Sequence, residues 1–115
     1  MFSKKLEYGY LIMKTLKNTS KTNMISGKDI IKKANIPLNM GLSILSELSN
    51  GGLIYSVKGK KGGFYRNSQE ISLFQLFFIL ENNIIKLQKV SNSEYQNEIM
   101  KIAIVVLNKM KEVKV

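Results

Sequence analysis

Three lysines fall within four residues at Lys58, Lys60 and Lys61, interleaved with Gly59 and closed by Gly62-Gly63. Ammonium groups so close repel one another unless an anion lies opposite, so the chemistry they offer is pairing with a polyanion. The flanking runs, Leu53-Ile54-Tyr55-Ser56-Val57 and Phe64-Tyr65, are rich in β-formers, and glycine supplies the positive φ of a tight reversal. Residues 53–65 therefore read as a β-hairpin with a basic tip, slim enough to enter a nucleic-acid groove. Taken alone, the same stretch is also what a solvated surface loop looks like.

Other chemistries are excluded by residue type. The chain has no cysteine and no histidine, which removes disulfides, thiolate metal sites, nucleophilic cysteine and imidazole acid-base catalysis together. A conventional enzyme is not expected, nor a resident cofactor or metal. At 115 residues and 44% hydrophobic content, the chain can bury one modest core. Its longest apolar run, Leu73 to Leu80, is interrupted by Gln75 and is far short of the roughly 20 residues that cross a bilayer. The first residues lack an apolar signal core, so a cytoplasmic location is expected.

Net charge is +10, and its distribution is uneven. Residues 1–66 hold twelve Lys or Arg against three Asp or Glu, whereas residues 67–115 hold six against five. Charge sorted into one half of a chain, together with the motif below, is an electrostatic footprint for phosphate. A membrane-surface helix would instead set basic residues opposite a bulky apolar face.

The elements that must position these lysines precede them. A first helix is expected from about Ser3 to Lys17, capped by Ser3, with Leu6, Tyr10, Met13 and Leu16 turned inward. Lys4 and Lys5 fall in its first turn, where the helix dipole disfavours cations and an external anion would relieve them. With Tyr8 and Lys28 they are the candidate phosphate contacts; frayed surface lysines are the alternative. Asn18 to Met24 reads as an irregular connection.

Ser26 and Asp29 open a short helix to Ala34, with Ile30, Ile31 and Ala34 inward. Asn35-Ile36-Pro37 interrupts it, and a third helix follows from about Pro37 to Ser49, ended by Asn50-Gly51-Gly52. Leu38, Ile44, Leu45 and Leu48 are expected to share its inner face. That leaves Asn39, Met40 and Ser43 outside, with Leu42 either outside or filling core around Gly41. Asparagine can bridge the adenine edge, and methionine or leucine can lie against a thymine methyl. The order of helix, turn, helix and basic hairpin is that of a winged helix-turn-helix.

Downstream, Ser72 and Gln75 make a capping box, with Ile71 and Leu76 as a hydrophobic staple, for a helix to about Glu81. Phe74, Phe77 and Phe78 on it are either plain core or the lining of an effector pocket. Residues 84–90 are expected as a short strand or extended arm. Ser93 and Gln96 open a last helix to about Glu112 with two apolar stripes, one of Tyr95, Ile99, Ile102 and Val106, the other of Met100, Ala103, Leu107 and Met110. Two stripes exceed what one small domain covers, so this helix is expected to build a homodimer through Tyr95, Ile99, Ile102, Val106 and Met110; packing within one chain is the alternative. The fold class is thus mainly α with a small β-hairpin wing. Residues 1–70 form the winged helix-turn-helix and residues 71–115 a helical dimerisation and effector region, in one compact unit.

Ser3-Lys4-Lys5-Leu6-Glu7-Tyr8-Gly9, Ile36-Pro37-Leu38, the run from Gly52 to Tyr65 with its double glycine, and Ile71-Ser72-Leu73 together resemble the Rrf2 family of bacterial winged-helix transcription regulators, over roughly residues 1–81. The resemblance implies a homodimer on an inverted-repeat operator in double-stranded DNA, with the third helix in the major groove and the wing tip in the adjacent minor groove. By position, the family's wing arginine falls on Lys58 and its DNA-facing helix positions on Asn39, Met40, Leu42 and Ser43. Gly41-Leu42-Ser43 stands where the family commonly has Leu-Glu-Gln, so operator sequence does not transfer. Several relatives hold an iron-sulfur cluster through cysteines between the fourth helix and the last, a region that is residues 82–93 here and has none.

The expected function is a sequence-specific DNA-binding regulator, a repressor without a cluster, controlled by a small-molecule effector, a partner protein or concentration. Two other classes stay open. One is a winged helix binding nucleic acid nonspecifically, as in plasmid replication or partition, and the other is a protein-interaction winged helix.

Overall fold

A computed structural model of the chain describes residues 3–81 and 94–115, with the side chains of 94–100 left aside. The described helices are α1 (Lys4–Thr15), α2 (Gly27–Ala34), α3 (Leu38–Asn50), α4 (Leu73–Leu80) and α5 (Glu94–Met110). Strands β1 (Ile54–Val57) and β2 (Gly63–Arg66) form an antiparallel hairpin between α3 and α4. Its register pairs Ile54 with Arg66, Tyr55 with Tyr65, Ser56 with Phe64, and Val57 with Gly63.

Three serines start three helices. Ser3, Ser26 and Ser72 each accept, through the side-chain oxygen, from the backbone N–H three residues on, and such a cap is worth about 1 kcal/mol. At Ser72 the box is closed by Gln75, whose Oε1 accepts from the Ser72 N–H at 2.8 Å. The staple residues Ile71 and Leu76 beside it are both buried. Asn35 ends α2 in the left-handed conformation, φ 54°, and Ile36 and Pro37 carry the chain into α3.

Ile12, Met13, Leu16, Ile30, Ile44, Leu45, Leu48, Ile54 and Leu76 form the centre of the core, where α1, α2, α3 and α4 meet. Ile12 lies deeper than Tyr10, which is half-buried, so the inner stripe of α1 is Leu6, Gly9, Ile12, Met13 and Leu16. Leu38, expected inside, is 56% exposed. It occupies the first position of α3, beyond the cover that Ile31 and Ile36 give to Gly41 one turn on. Gly41 itself is buried, and a Cβ there would stand 2.6 Å from Ile31 Cγ1. Its missing side chain therefore serves the close crossing of α2 over α3.

The far end of the chain is tied to the same body. Ala103, Val106 and Leu107 of α5 are half-buried and Met110 is fully buried, so this stripe faces α4. Met110, expected at a dimer contact, belongs instead to the chain's own core at 4% exposure. After α5 the chain runs back along residues 71–73, with the Leu73 N–H donating to Val113 O at 2.7 Å and the Val115 N–H to Ile71 O at 2.9 Å. Glu70 and Lys114 form an ion pair beside them. The expected strand or arm at 84–90, the cap at Ser93 and the side chains of Tyr95 and Ile99 lie outside the described residues.

Arg66 joins these parts. It is 3% exposed, and its guanidinium donates to Met13 O at 3.1 Å, Val115 O at 2.7 Å and Ser68 O at 3.0 Å. Burial pushes its pKa down, yet arginine keeps its charge at any physiological pH. Replacing it by methionine leaves three carbonyls without their donor. Each buried acceptor left without its donor costs ~1–3 kcal/mol, so Arg66→Met is expected to destabilise the fold by at least about 3 kcal/mol, read as a lower urea midpoint at unchanged slope. Arg66→Lys is expected to recover less than half of that loss, because an ammonium lacks the planar fork.

Candidate nucleic-acid interface

The wing is held at its base and free at its tip. Leu53 and Ile54 are buried, whereas Tyr55, Ser56, Val57 and the tip residues Lys58, Gly59, Lys60 and Lys61 are exposed. Gly59 takes φ 113°, a conformation closed to ordinary side chains, and its carbonyl accepts from the Gly62 N–H at 3.0 Å. Behind the ribbon, Ile25 exchanges two backbone hydrogen bonds with Phe64, at 2.8 and 3.1 Å. This short third partner lies in the stretch whose sequence reads only as the end of a loop. On the outer face Tyr55 and Tyr65 pack with ring centroids 5.2 Å apart.

Helix α3 presents its outer face beside the ribbon. Asn39, Met40, Leu42 and Ser43 are all exposed, and Leu42, at 50% exposure, is not the core filler that its type allows. At 100° per residue, Asn39 and Ser43 run along the middle of this face. Leu38 and Leu42 flank them on the wing side and Met40 on the α1 side. Between α3 and the wing runs a groove of about 440 Å³, lined by Leu42, Ser46, Ser49, Ser56 and Lys58 among others. The Ser49 hydroxyl there has no hydrogen-bond partner among the described residues.

The lysines divide into two sets. Lys4 pairs with Glu7 at 3.2 Å, which raises the Lys4 pKa, and Lys5 donates to Glu47 on α3 at 2.6 Å. Lys5, a candidate phosphate contact, is therefore turned to an internal bond between α1 and α3 with both partners half-buried. By contrast, Lys28, Lys32 and Lys33 on α2 and Lys58, Lys60 and Lys61 on the wing are exposed, and among the described residues no carboxylate pairs with them. Of these, Lys58 lines the groove beside Leu42 and Ser46 of α3. Tyr8 is half-buried on α1. Structure thus leaves Lys28 and the wing-tip lysines exposed and withdraws Lys5.

Phe74, Phe77 and Phe78 do not act as one group. Phe77 is buried at 7% exposure, while Phe78 is 59% exposed and stacks on Phe74 at 6.2 Å, with the Lys111 ammonium over the Phe74 ring at 4.9 Å. Ile102, Ile104 and Val105 of α5 are exposed at 61%, 51% and 63%. Ile104 and Val105 stand outside both stripes that the helical period suggests.

The Rrf2 family model, described as an iron-dependent transcriptional regulator, matches residues 2–114. Similar solved structures include IscR of T. potens, with TM-score 0.79, 20% identity, and coverage of 99% of this chain and 82% of that one. CymR of B. subtilis, titled the global cysteine regulator, has TM-score 0.78, 23% identity, and coverage of 99% and 92%. CymR of Staphylococcus aureus has TM-score 0.72, 24% identity, and coverage of 97% and 92%. No curated protein matches the chain by sequence. The chain's donors do not fit a thiolate-held iron cluster, since it contains neither cysteine nor histidine. Among the described residues no three His, Cys, Asp or Glu side chains gather as a metal site, and no helix is long and apolar enough to cross a membrane.

Replacing Lys58, Lys60 and Lys61 together by alanine is expected to weaken duplex binding on every sequence. The log-log dependence of affinity on salt should flatten by about one unit for each phosphate that is no longer neutralised. Lys5→Ala should change that slope by much less, which a salt titration of both variants would show.

Proposed function

The chain belongs to the Rrf2 family of transcriptional regulators, and from that premise we propose that it is a repressor that binds an inverted-repeat operator as a homodimer. The observation that carries this reading is the outer face of α3, exposed and uncharged at Asn39, Met40, Leu42 and Ser43, in a fold whose exposed lysines on α2 and the wing no described carboxylate engages. Phosphate contacts from those lysines fix the protein on the duplex, and the side chains of the α3 face meet base edges. Asn39 is the one outward side chain in the first turn of α3 with both a donor and an acceptor for adenine. The wing tip enters the adjacent minor groove, where lysine supplies charge without the planar fork of arginine.

Two-fold symmetry of the operator calls for two-fold symmetry of the protein. The exposed Ile102, Ile104 and Val105 on α5 offer a self-complementary apolar patch on the side of that helix away from α4. With no thiolate or imidazole in the chain, control of the repressor falls to a small-molecule effector, a partner protein or concentration, and it acts in the cytoplasm on chromosomal or plasmid DNA.

Selection from random duplexes followed by electrophoretic shift tests the reading. One enriched palindrome is expected, and Asn39→Ala should cost ~1–3 kcal/mol on it with little change elsewhere. Equal affinity for all duplexes would move the protein to the nonspecific class, and no binding at low salt to the protein-interaction class. Ile102→Glu with Val105→Glu should convert a dimer to a monomer in sedimentation at micromolar concentration. A dimer that survives both changes would place the symmetric contact on another surface.

A further inference from the structure

We propose that α3 selects A·T-rich half-sites by the methyl groups of thymine, with Leu38 and Leu42 as the side chains that contact them. The proposal rests on the DNA-binding reading above and names what that interface discriminates. Leu38 and Leu42 are one helical turn apart, 56% and 50% exposed, on the edge of α3 nearest the wing. Met40, 39% exposed, lies on the other edge, the edge that also carries Glu47 toward Lys5. Leu38 and Leu42, so exposed and one turn apart on one edge, make an apolar strip with a use.

The chemistry of α3 narrows that use. Guanine is read in the major groove by arginine or lysine, and cytosine by a carboxylate. Helix α3 contains no lysine or arginine, and its one acidic residue, Glu47, is held by Lys5 at 2.6 Å. What remains on its outer face is Asn39, suited to the N6 and N7 of adenine, and leucines suited to the thymine C5-methyl. Asn39 and the leucines therefore match the two sides of an A·T pair, while Ser43 discriminates little among bases. An apolar protein partner would also cover leucines. Lys58 of the wing, which lines the same groove as Leu42, and the net charge of +10 favour a polyanion whose exposed apolar groups are the thymine methyls.

Deoxyuridine differs from thymidine only by that methyl, so it tests the contact without altering pairing. The full chain is used to select its preferred duplex at fixed salt, and the thymines of each half-site are then replaced by deoxyuridine. Loss of about fourfold in affinity is expected per contacted methyl. The Leu38→Ala, Leu42→Ala variant, altered only at exposed positions, should bind the thymine duplex as weakly as the native chain binds the uracil one and lose little further on substitution. Unchanged binding of the deoxyuridine duplex by the native chain, a G·C consensus at the contacted positions, or an undiminished uracil penalty in the double variant would each overturn the inference. In those outcomes binding persists and the regulator reading stands. Failure to bind any duplex would overturn both.

Discussion

The crossing of α2 over α3 decides what the interface can be. Gly41 has no side chain, so Ile31 and Ile36 close directly onto the α3 backbone, and that contact fixes the roll of α3 about its own axis. With Gly41, Ile44, Leu45 and Leu48 turned in, the helical period leaves Asn39 and Ser43 at the outermost line and the leucines at its margin. Glycine within a helix costs about 1 kcal/mol relative to alanine. The close approach of two helices offsets that cost, and a larger residue would have to push α2 away and turn the reading face with it.

Charge is kept off this face. Lysines of α2 and of the wing tip are exposed with no carboxylate partner among the described residues, while Lys4 and Lys5 on α1 are engaged by Glu7 and Glu47. The exposed Lys4–Glu7 pair contributes at most ~1 kcal/mol to stability, and the half-buried Lys5–Glu47 pair ties α1 to α3. The Lys5 pair has a second effect, since it holds Glu47 away from any phosphate that approaches α3. Negative charge on that helix is thereby neutralised without placing a cation among the base-reading side chains.

Much of this is legible in the sequence. The serine caps, the Pro37 break, the Gly51-Gly52 stop and the alternation of β-formers around a lysine-glycine tip are local signals, and each element stands within about two residues of where those signals place it. Tertiary cover is what local signals do not carry. Leu38 repeats seven residues before Leu45 and so looks internal, yet no described residue reaches far enough over the start of α3 to bury it. Met110 sits on a stripe wide enough to suggest a partner, but it is buried within the chain, on a helix that packs against α4. Lys5 looks free in the sequence because Glu47 is 42 residues away. The pairing of Ile25 with Phe64 likewise depends on the hairpin folding back across the loop. For the interface, residue types show which side chains suit bases and phosphates, while the division of lysines into engaged and available sets requires the packed fold.

Arg66 bears on how the protein is made. One guanidinium holds carbonyls at positions 13 and 115, so the base of the wing is complete only when Val115 has been delivered. Ribosomes add roughly 5–20 residues per second, and the segment from Arg66 to Val115 therefore takes on the order of several seconds to synthesise. Throughout that interval the helix-turn-helix and hairpin exist as a nascent chain whose arginine lacks its distal acceptor and whose core lacks α4. An exposed apolar surface and an unfinished ribbon are what chaperones bind. The order of synthesis thus makes the wing, which emerges before α4 and α5, one of the last parts of the molecule to reach its final stability.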